Sequence, residues 1–121
     1  MARCPHLLTG EWFHESLPLV YTTGVNMQYL TSDEVRALEL KANTIRQSII
    51  EMLTEAGSGH TAGPLGMADV FTLLYFGILK HDPQNPDWEE RDRVVLSNGH
   101  ICPVLYATLA HAGYFSVEEL M

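Results

Sequence analysis

Two tight turns, each with a glycine followed by a histidine, constrain this chain more than any other feature of its sequence. They are Ser58-Gly59-His60 and Asn98-Gly99-His100, and each stands where an apolar segment gives way to a loop. Glycine removes the side chain that would keep backbone away from a ligand, and histidine is the residue type that exchanges protons near neutral pH. The pair of turns therefore predicts a cofactor site built where secondary-structure elements end.

The segment before the first turn predicts a long amphipathic helix. Thr31 and Glu34 form a capping box, in which each side chain satisfies a backbone donor of the first turn. Gly57 is the expected left-handed cap, so the first turn lies just beyond the helix. Apolar residues recur between these ends at spacings of three and four, at Leu38, Ala42, Ile45, Ile49, Met52 and Ala56.

A second helix is predicted after a loop that runs to about Pro64. The segment from Leu65 to Leu79 is apolar on every side, which is typical of a helix buried in the centre of a fold. The sequence His81–Pro86 cannot continue it, because its two prolines interrupt the hydrogen-bond ladder and restrict the residues before them. An extended connection is expected there.

The remaining pattern predicts one strand and a third helix. Arg93–Ser97 is a short β-branched run, typical of a buried strand in a parallel sheet. Pro103 suits the first position of a helix that Gly113 ends, so His100 falls between strand and helix. Ser116–Glu119 is a second capping box. The fold class is α/β, an open parallel sheet flanked by helices, of which this piece supplies mainly helices and one strand.

Charge and composition exclude several classes of protein. The formal net charge is −8, and no stripe of basic residues could follow nucleic-acid phosphates. Cys4 and Cys102 are the two cysteines, which support neither a disulfide framework nor a cysteine metal site and fit a reducing cytoplasm. Val70–Leu79 is too short to cross a bilayer, and no secretory signal follows Met1. We therefore expect a cytoplasmic protein that binds neither nucleic acid nor membrane.

Each histidine has a plain structural interpretation beside the functional one. Taken singly, His60 could be a surface residue after a helix cap, and His100 could merely hydrogen-bond within a turn; finding both turns in one chain favours function. A metal site that uses both is disfavoured, because no further ligands stand at suitable spacing, and no metal ligand is predicted in this chain. Surface or packing roles are expected for the other histidines, His6, His14, His81 and His111, and packing roles for Trp88 and Tyr106.

Two stretches resemble the opening of transketolase. They are SGHTAGPLGMAD at 58–69 and DRVVLSNGHICPVLYATLAHAGYF at 92–115, and the likeness extends from Leu30 to Met121. Residues 1–26 resemble nothing in that family and are left as an unassigned leader. Met27, at the edge of the family-like sequence, is a candidate for the natural start. Residues 27–121 are then expected to be an incomplete N-terminal part of a thiamine-diphosphate-binding domain.

The resemblance implies a reaction and a role for four residues. Transketolases use thiamine diphosphate and a divalent cation such as Mg2+ to move a two-carbon ketol unit from a ketose phosphate to an aldose phosphate, a reaction of the pentose phosphate pathway. By resemblance, His60 is the catalytic residue that contacts the donor sugar's hydroxyls and moves protons. His100 lies against the cofactor's diphosphate, and Gly59 and Gly99 permit the approach. Thr61-Ala62 replaces the family's usual Pro-Gly, from which we expect altered loop stiffness.

The resemblance also implies what these 121 residues need from elsewhere. The family's Gly-Asp-Gly motif and downstream Asn, which hold metal and diphosphate, are absent from the sequence, and so is the glutamate that activates the cofactor. The chain alone is therefore expected to be inactive. It would be a fragment of a transketolase, or the N-terminal subunit of a split one, in a homodimer or heterotetramer. The alternatives are a deoxyxylulose phosphate synthase, the first component of a 2-oxo acid dehydrogenase, and a non-catalytic interaction module.

Overall fold

A computed structural model describes residues 30–121, and these residues are mainly helical. The chain divides into two units, Met1–Ala37 and Leu38–Met121; of the first, residues 30–37 are described, and they contain the beginning of helix α1. The helices are α1 (Ser32–Ala56), α2 (Ala62–Leu73), which continues as a π-helical turn (Leu74–Ile78), a 3-10 turn (Gly99–Ile101) that leads into α3 (Cys102–His111), and a final 3-10 turn (Val117–Leu120). None of the helices in this part of the chain has the length and apolar character needed to cross a bilayer.

Helix α1 has the ends that the sequence predicts. The backbone N–H of Thr31 donates to Glu34 Oε2 at 2.6 Å, and the N–H of Glu34 donates to Thr31 Oγ1 at 3.3 Å. The Thr31 hydroxyl also donates to Glu34 Oε2, at 2.8 Å, and the two bonds that this carboxyl accepts, from the Thr31 N–H first and from the hydroxyl second, hold its pKa below the usual value. At the other end Gly57 has φ +60°, the left-handed conformation expected of a helix cap.

The core lies where one face of α1 meets α2 and α3. It is formed by residues that are almost wholly buried, namely Ile45, Ile49, Met52, Ala68, Phe71, Ile101, Val104 and Ala107. The α1 members stand on the predicted apolar stripe, which confirms the helical periodicity. Helix α2 packs closely on α3 and on the Gly99–Ile101 turn, which brings the start of α2 beside the second glycine-histidine turn.

Helix α2 differs from its prediction at its start and in its burial. It begins at Ala62, three residues before Leu65, and Pro64 is buried in its first turn. A proline is tolerated there because the first N–H groups of a helix have no partner within the helix. The helix is not central: Val70 is 46% exposed and Leu73 39%. Only one of its faces meets α1 and α3, and nothing in residues 30–121 covers the opposite face.

The connection after α2 is turned, not extended as the sequence predicts, although its prolines end the helix as expected. It forms successive turns, in which Asn85 N–H donates to the Asp82 carbonyl and Trp88 N–H donates to the Asn85 carbonyl, both at 3.1 Å. The two ends of the connection are joined, because Lys80 N–H donates to Asp92 Oδ2 at 2.8 Å and Asp92 N–H donates to the Lys80 carbonyl at 2.8 Å.

The predicted strand at Arg93–Ser97 is wrong for the described structure. Residues 92–98 have no regular secondary structure, no strand occurs anywhere in residues 30–121, and Val95 is 91% exposed. A strand exists only when a neighbouring strand accepts and donates its backbone hydrogen bonds, and these residues provide no such neighbour. The structure therefore shows the helical layer of the predicted α/β fold, without the sheet.

The last part of the chain follows its predicted signals with small shifts. Pro103 is the second residue of α3, not the first, and Gly113, with φ +90°, follows the end of the helix. The capping box of Ser116 and Glu119 is formed, and it is followed by a single 3-10 turn.

The histidines and aromatic residues outside the two turns mostly pack. His81 lies between the Tyr75 carbonyl and the Tyr114 hydroxyl, and His111 Nε2 lies 2.9 Å from Ser48 Oγ. Trp88 packs beneath the Lys80 ammonium, 4.7 Å from the ring centre. Tyr106 is half exposed, contrary to its predicted packing role, because the outer face of α3 has no described neighbour there. His6 and His14 lie outside the described residues.

Candidate functional site

The two glycine-histidine turns meet at one cleft. The ring centroids of His60 and His100 are 4.7 Å apart, and their planes are inclined by 43°. Both side chains are exposed, so neither imidazole is buried in the core and both can contact a ligand. The cleft has a volume of about 440 Å3 and is lined by Gly59, His60, Thr61, Ala62, Gly63, Asn98, His100 and Ile101.

His60 is positioned by the short loop between α1 and α2. Gly59 has φ +120°, a conformation that side chains disfavour, and a Cβ there would stand 2.5 Å from Leu53 Cδ2. Glycine is thus required for the turn itself, in addition to any approach by a ligand. The first turn of α2 follows directly, and its Gly63 lies so close to Ile101 that a Cβ would stand 2.8 Å from Cγ2.

His100 is positioned by the 3-10 turn that leads into α3. Its backbone N–H donates to Asn98 Oδ1 at 3.3 Å, so the asparagine caps the turn. Gly99 has an ordinary backbone conformation, and a Cβ added to it would meet nothing within 4 Å. Its lack of a side chain therefore leaves open space beside the cleft, although Gly99 is not itself among the lining residues.

The cleft presents hydrogen-bond donors from the start of a helix. Thr61 precedes α2 without a side-chain capping bond, and no acidic residue stands in the first turn of α2. The N–H groups of Ala62 and Gly63 are consequently not satisfied by a cap, and the positive end of the helix dipole faces the cleft. Such an arrangement attracts anions or polar oxygens.

The chemistry of this lining fits an anionic cofactor group better than a bare metal ion. None of the lining residues carries a carboxylate or thiol, whereas both imidazoles and the helix N-terminus can donate hydrogen bonds. Mg2+ prefers oxygen ligands, carboxylates above all. Within residues 30–121, no three His, Cys, Asp or Glu side chains cluster in a way that could hold a metal ion.

Sequence reasoning named the two histidines and their glycines as site residues but assigned no specific role to the other residues of the cleft. Asn98 carried a usable signal, because asparagine before a helical turn is a frequent cap. The contribution of Ala62 and Gly63 was missed because the start of α2 was placed three residues too late. His81 and His111 lie apart from the cleft, bonded to other groups.

Taken together, the helices and the donor-lined cleft define a domain suited to bind an anionic cofactor. The family model described as transketolase, thiamine diphosphate binding domain, matches residues 38–121, and the chain belongs to this family. The resemblance seen in the sequence is thereby confirmed.

Curated relatives agree with this assignment. The chain is 47% identical over 89 residues to the 6-deoxy-6-sulfo-D-fructose transketolase subunit SqwG of Clostridium sp. (strain MSTE9), covering 74% of this chain and 32% of that protein. It is 48% identical over 80 residues to transketolase 1 of Escherichia coli (strain K12), covering 65% of this chain and 12% of that protein. The transketolase of Buchnera aphidicola is also 48% identical over 80 residues, with the same coverage. The chain thus spans a third or less of these relatives.

Proposed function

We propose that this chain supplies the diphosphate side of a thiamine diphosphate site in an enzyme that transfers a two-carbon ketol unit from a ketose phosphate to an aldose phosphate. The observation that carries the proposal is the pair of exposed imidazoles, 4.7 Å apart, at the uncapped start of α2. Bound thiamine diphosphate supplies the carbanion chemistry of such a reaction. The chain's own residues bind, orient and move protons around it.

Each site residue has a separate role in this proposal. His100, at the turn before α3, donates a hydrogen bond to the cofactor's diphosphate, and Gly99 leaves room for that approach. His60 contacts the hydroxyls of the donor sugar and carries protons to and from them, which is the task of a general acid and base. Gly59 gives the loop the conformation that turns His60 into the cleft.

The remainder of the site is proposed to come from outside these 121 residues. The cleft has no carboxylate to hold Mg2+, and the matched relatives are about three to eight times longer than the portion that they share with this chain. We therefore propose that the chain is inactive alone. It works with a C-terminal transketolase subunit or with further residues of the same chain, as a cytoplasmic homodimer or heterotetramer.

The test is replacement of each histidine in the assembled enzyme, meaning this chain together with the chain or segment that completes the site. His60→Ala should lower kcat by a factor of about 10² to 10⁴, the usual value of one acid-base group, with little change in cofactor affinity. His100→Ala should instead raise the thiamine diphosphate concentration needed for half-maximal activity. His60→Asn is the matched control, because it keeps hydrogen-bonding capacity without proton exchange. A His60→Ala enzyme with near-normal kcat would remove His60 from the mechanism.

A second candidate concerns the donor sugar. The match to the sulfofructose transketolase subunit extends over 89 residues, compared with 80 for the Escherichia coli transketolase. A sulfonate and a phosphate at the far end of a ketose are both tetrahedral anions, and residues outside the described cleft would distinguish them. Parallel assays with a ketose phosphate and with 6-deoxy-6-sulfo-D-fructose as donors decide between the candidates by the ratio of their kcat/KM values.

A further inference from the structure

Arg46 of α1 reaches across to α2 with its guanidinium group. Nε donates to the carbonyl oxygen of Leu65 at 3.2 Å, and Nη2 contacts Asp69 Oδ2 at 2.5 Å. Nη1 donates to Asn43 Oδ1, on α1 itself, at 3.2 Å. One planar group therefore joins an acceptor on its own helix to acceptors on two turns of the next.

This link matters because the loop that carries His60 is short, so its path depends on how the two helices at its ends are placed. The loop joins α1 to α2, and two of its residues, Gly57 and Gly59, have positive φ. Glycine is the most freely rotating residue, so the loop adapts to the helices at its ends. The first turn of α2 is held against Ile101 through Gly63, which leaves the placement of α1 relative to α2 to determine the path of His60.

A purely stabilising role does not account for the arrangement. The Asp69 side chain is 66% exposed and that of Arg46 29%, and ion pairs so accessible to water contribute little to folding stability. The directional part is the fork: guanidinium has fixed donor directions that a lysine ammonium lacks. This contact therefore orients α1 relative to α2 more than it stabilises the fold.

We propose that Arg46 is a positioning residue, which holds α1 and α2 in the register that places His60 against His100. Its kinetic consequence depends on the proposed function, because it acts through His60. A displacement of about 1 Å at a reacting group can lower a rate by about 10². Loss of the fork should therefore lower kcat/KM without unfolding the protein.

The kinetic test uses Arg46→Met and Arg46→Lys in the assembled enzyme. Both should lower kcat/KM by about 10-fold to 100-fold, and Asp69→Asn should lower it in the same direction. Asn43→Ala is the matched control, because it removes the bond within α1 and keeps both bonds to α2; its kcat/KM should remain within about twofold of the original. In a His60→Ala background the effect of Arg46→Met should shrink to less than about twofold, because both changes disable the same group.

A second readout is independent of activity. In the NMR spectrum of the 121-residue chain, the adjacent imidazoles of His60 and His100 should give a cross-relaxation peak, which Arg46→Met should weaken and Asn43→Ala should not. An unchanged peak with Arg46→Met, or an effect on kcat/KM that multiplies fully with that of His60→Ala, would overturn the positioning role. If the assembled enzyme transfers no ketol unit while the peak responds as expected, the proposed function fails and the positioning role stands.

Discussion

Gly59 and Gly99 both precede a histidine at the cleft, yet the structure gives them different tasks. Gly59 has φ +120°, and any Cβ there would collide with Leu53, whereas Gly99 has ordinary backbone and open space around it. The sequence alone does not distinguish the two glycines, because a glycine can be required either by the backbone conformation or by the approach of a ligand.

The two glycines should therefore respond differently to alanine. Gly59→Ala should lower the free energy of unfolding by about 1–3 kcal/mol, the cost of placing a side chain in a strained backbone region. Gly99→Ala should change it by less than about 0.5 kcal/mol, as for an unstrained surface position. Urea denaturation followed by circular dichroism measures both. Equal losses of stability would show that Gly99 has a structural role that its surroundings do not reveal.

The predictability of each element depends on how far away its stabilising partners lie. The bounds of α1 were predictable because its signals are local: Thr31 bonds to Glu34, and Gly57 follows the last turn. The strand at 93–97 was wrong because a strand's hydrogen bonds come from another segment, and none of the described residues supplies them. The start of α2 differs from its prediction for a third reason: a proline indicates a loop, but the first turn of a helix also accepts one, as it does Pro64.

The contact between α1 and α3 through Ser48 and His111 should make stability depend on pH. Burial, and secondarily the nearby Lys41 charge, lower the pKa of His111 below 6.5 in the folded state. The unfolded chain therefore binds this proton more readily than the folded one. The contribution of His111 to the free energy of unfolding is fully present above about pH 6.5. It is lost as the pH falls through the lower pKa that His111 has in the folded state.

This prediction is checked by urea denaturation between about pH 7 and pH 5, above the range in which most carboxylates titrate. The free energy of unfolding of the original chain should fall across this range, and that of His111→Gln should fall less. Comparing the two slopes isolates His111 from the other histidines. Parallel slopes would mean that the His111 proton is bound equally well in both states.

The sequence predicted the two glycine-histidine turns but not how they meet. Two glycine-histidine turns were recognisable from their letters, whereas the 4.7 Å separation of their rings depends on how α2 packs against the turn before α3. The exposed apolar side chains of Val70, Leu73 and Val95 show where the described helices leave surface uncovered. A sheet would cover such a surface in an α/β fold.

Cofactor binding should accordingly distinguish this chain from the assembled enzyme. The cleft offers imidazoles and helix N–H groups to a diphosphate, but none of its lining residues offers a carboxylate to a divalent cation. Calorimetric titration with thiamine diphosphate and Mg2+ should give no saturable heat with the 121-residue chain at concentrations up to about 1 mM, where binding contributes only about 4 kcal/mol. The assembled enzyme should bind with a defined stoichiometry, and His100→Ala should weaken that binding.

Saturable binding by the chain alone would show that the site is complete within these residues. Absence of binding by both would favour the non-catalytic interaction module, since a domain that only docks needs its helices and not its cofactor.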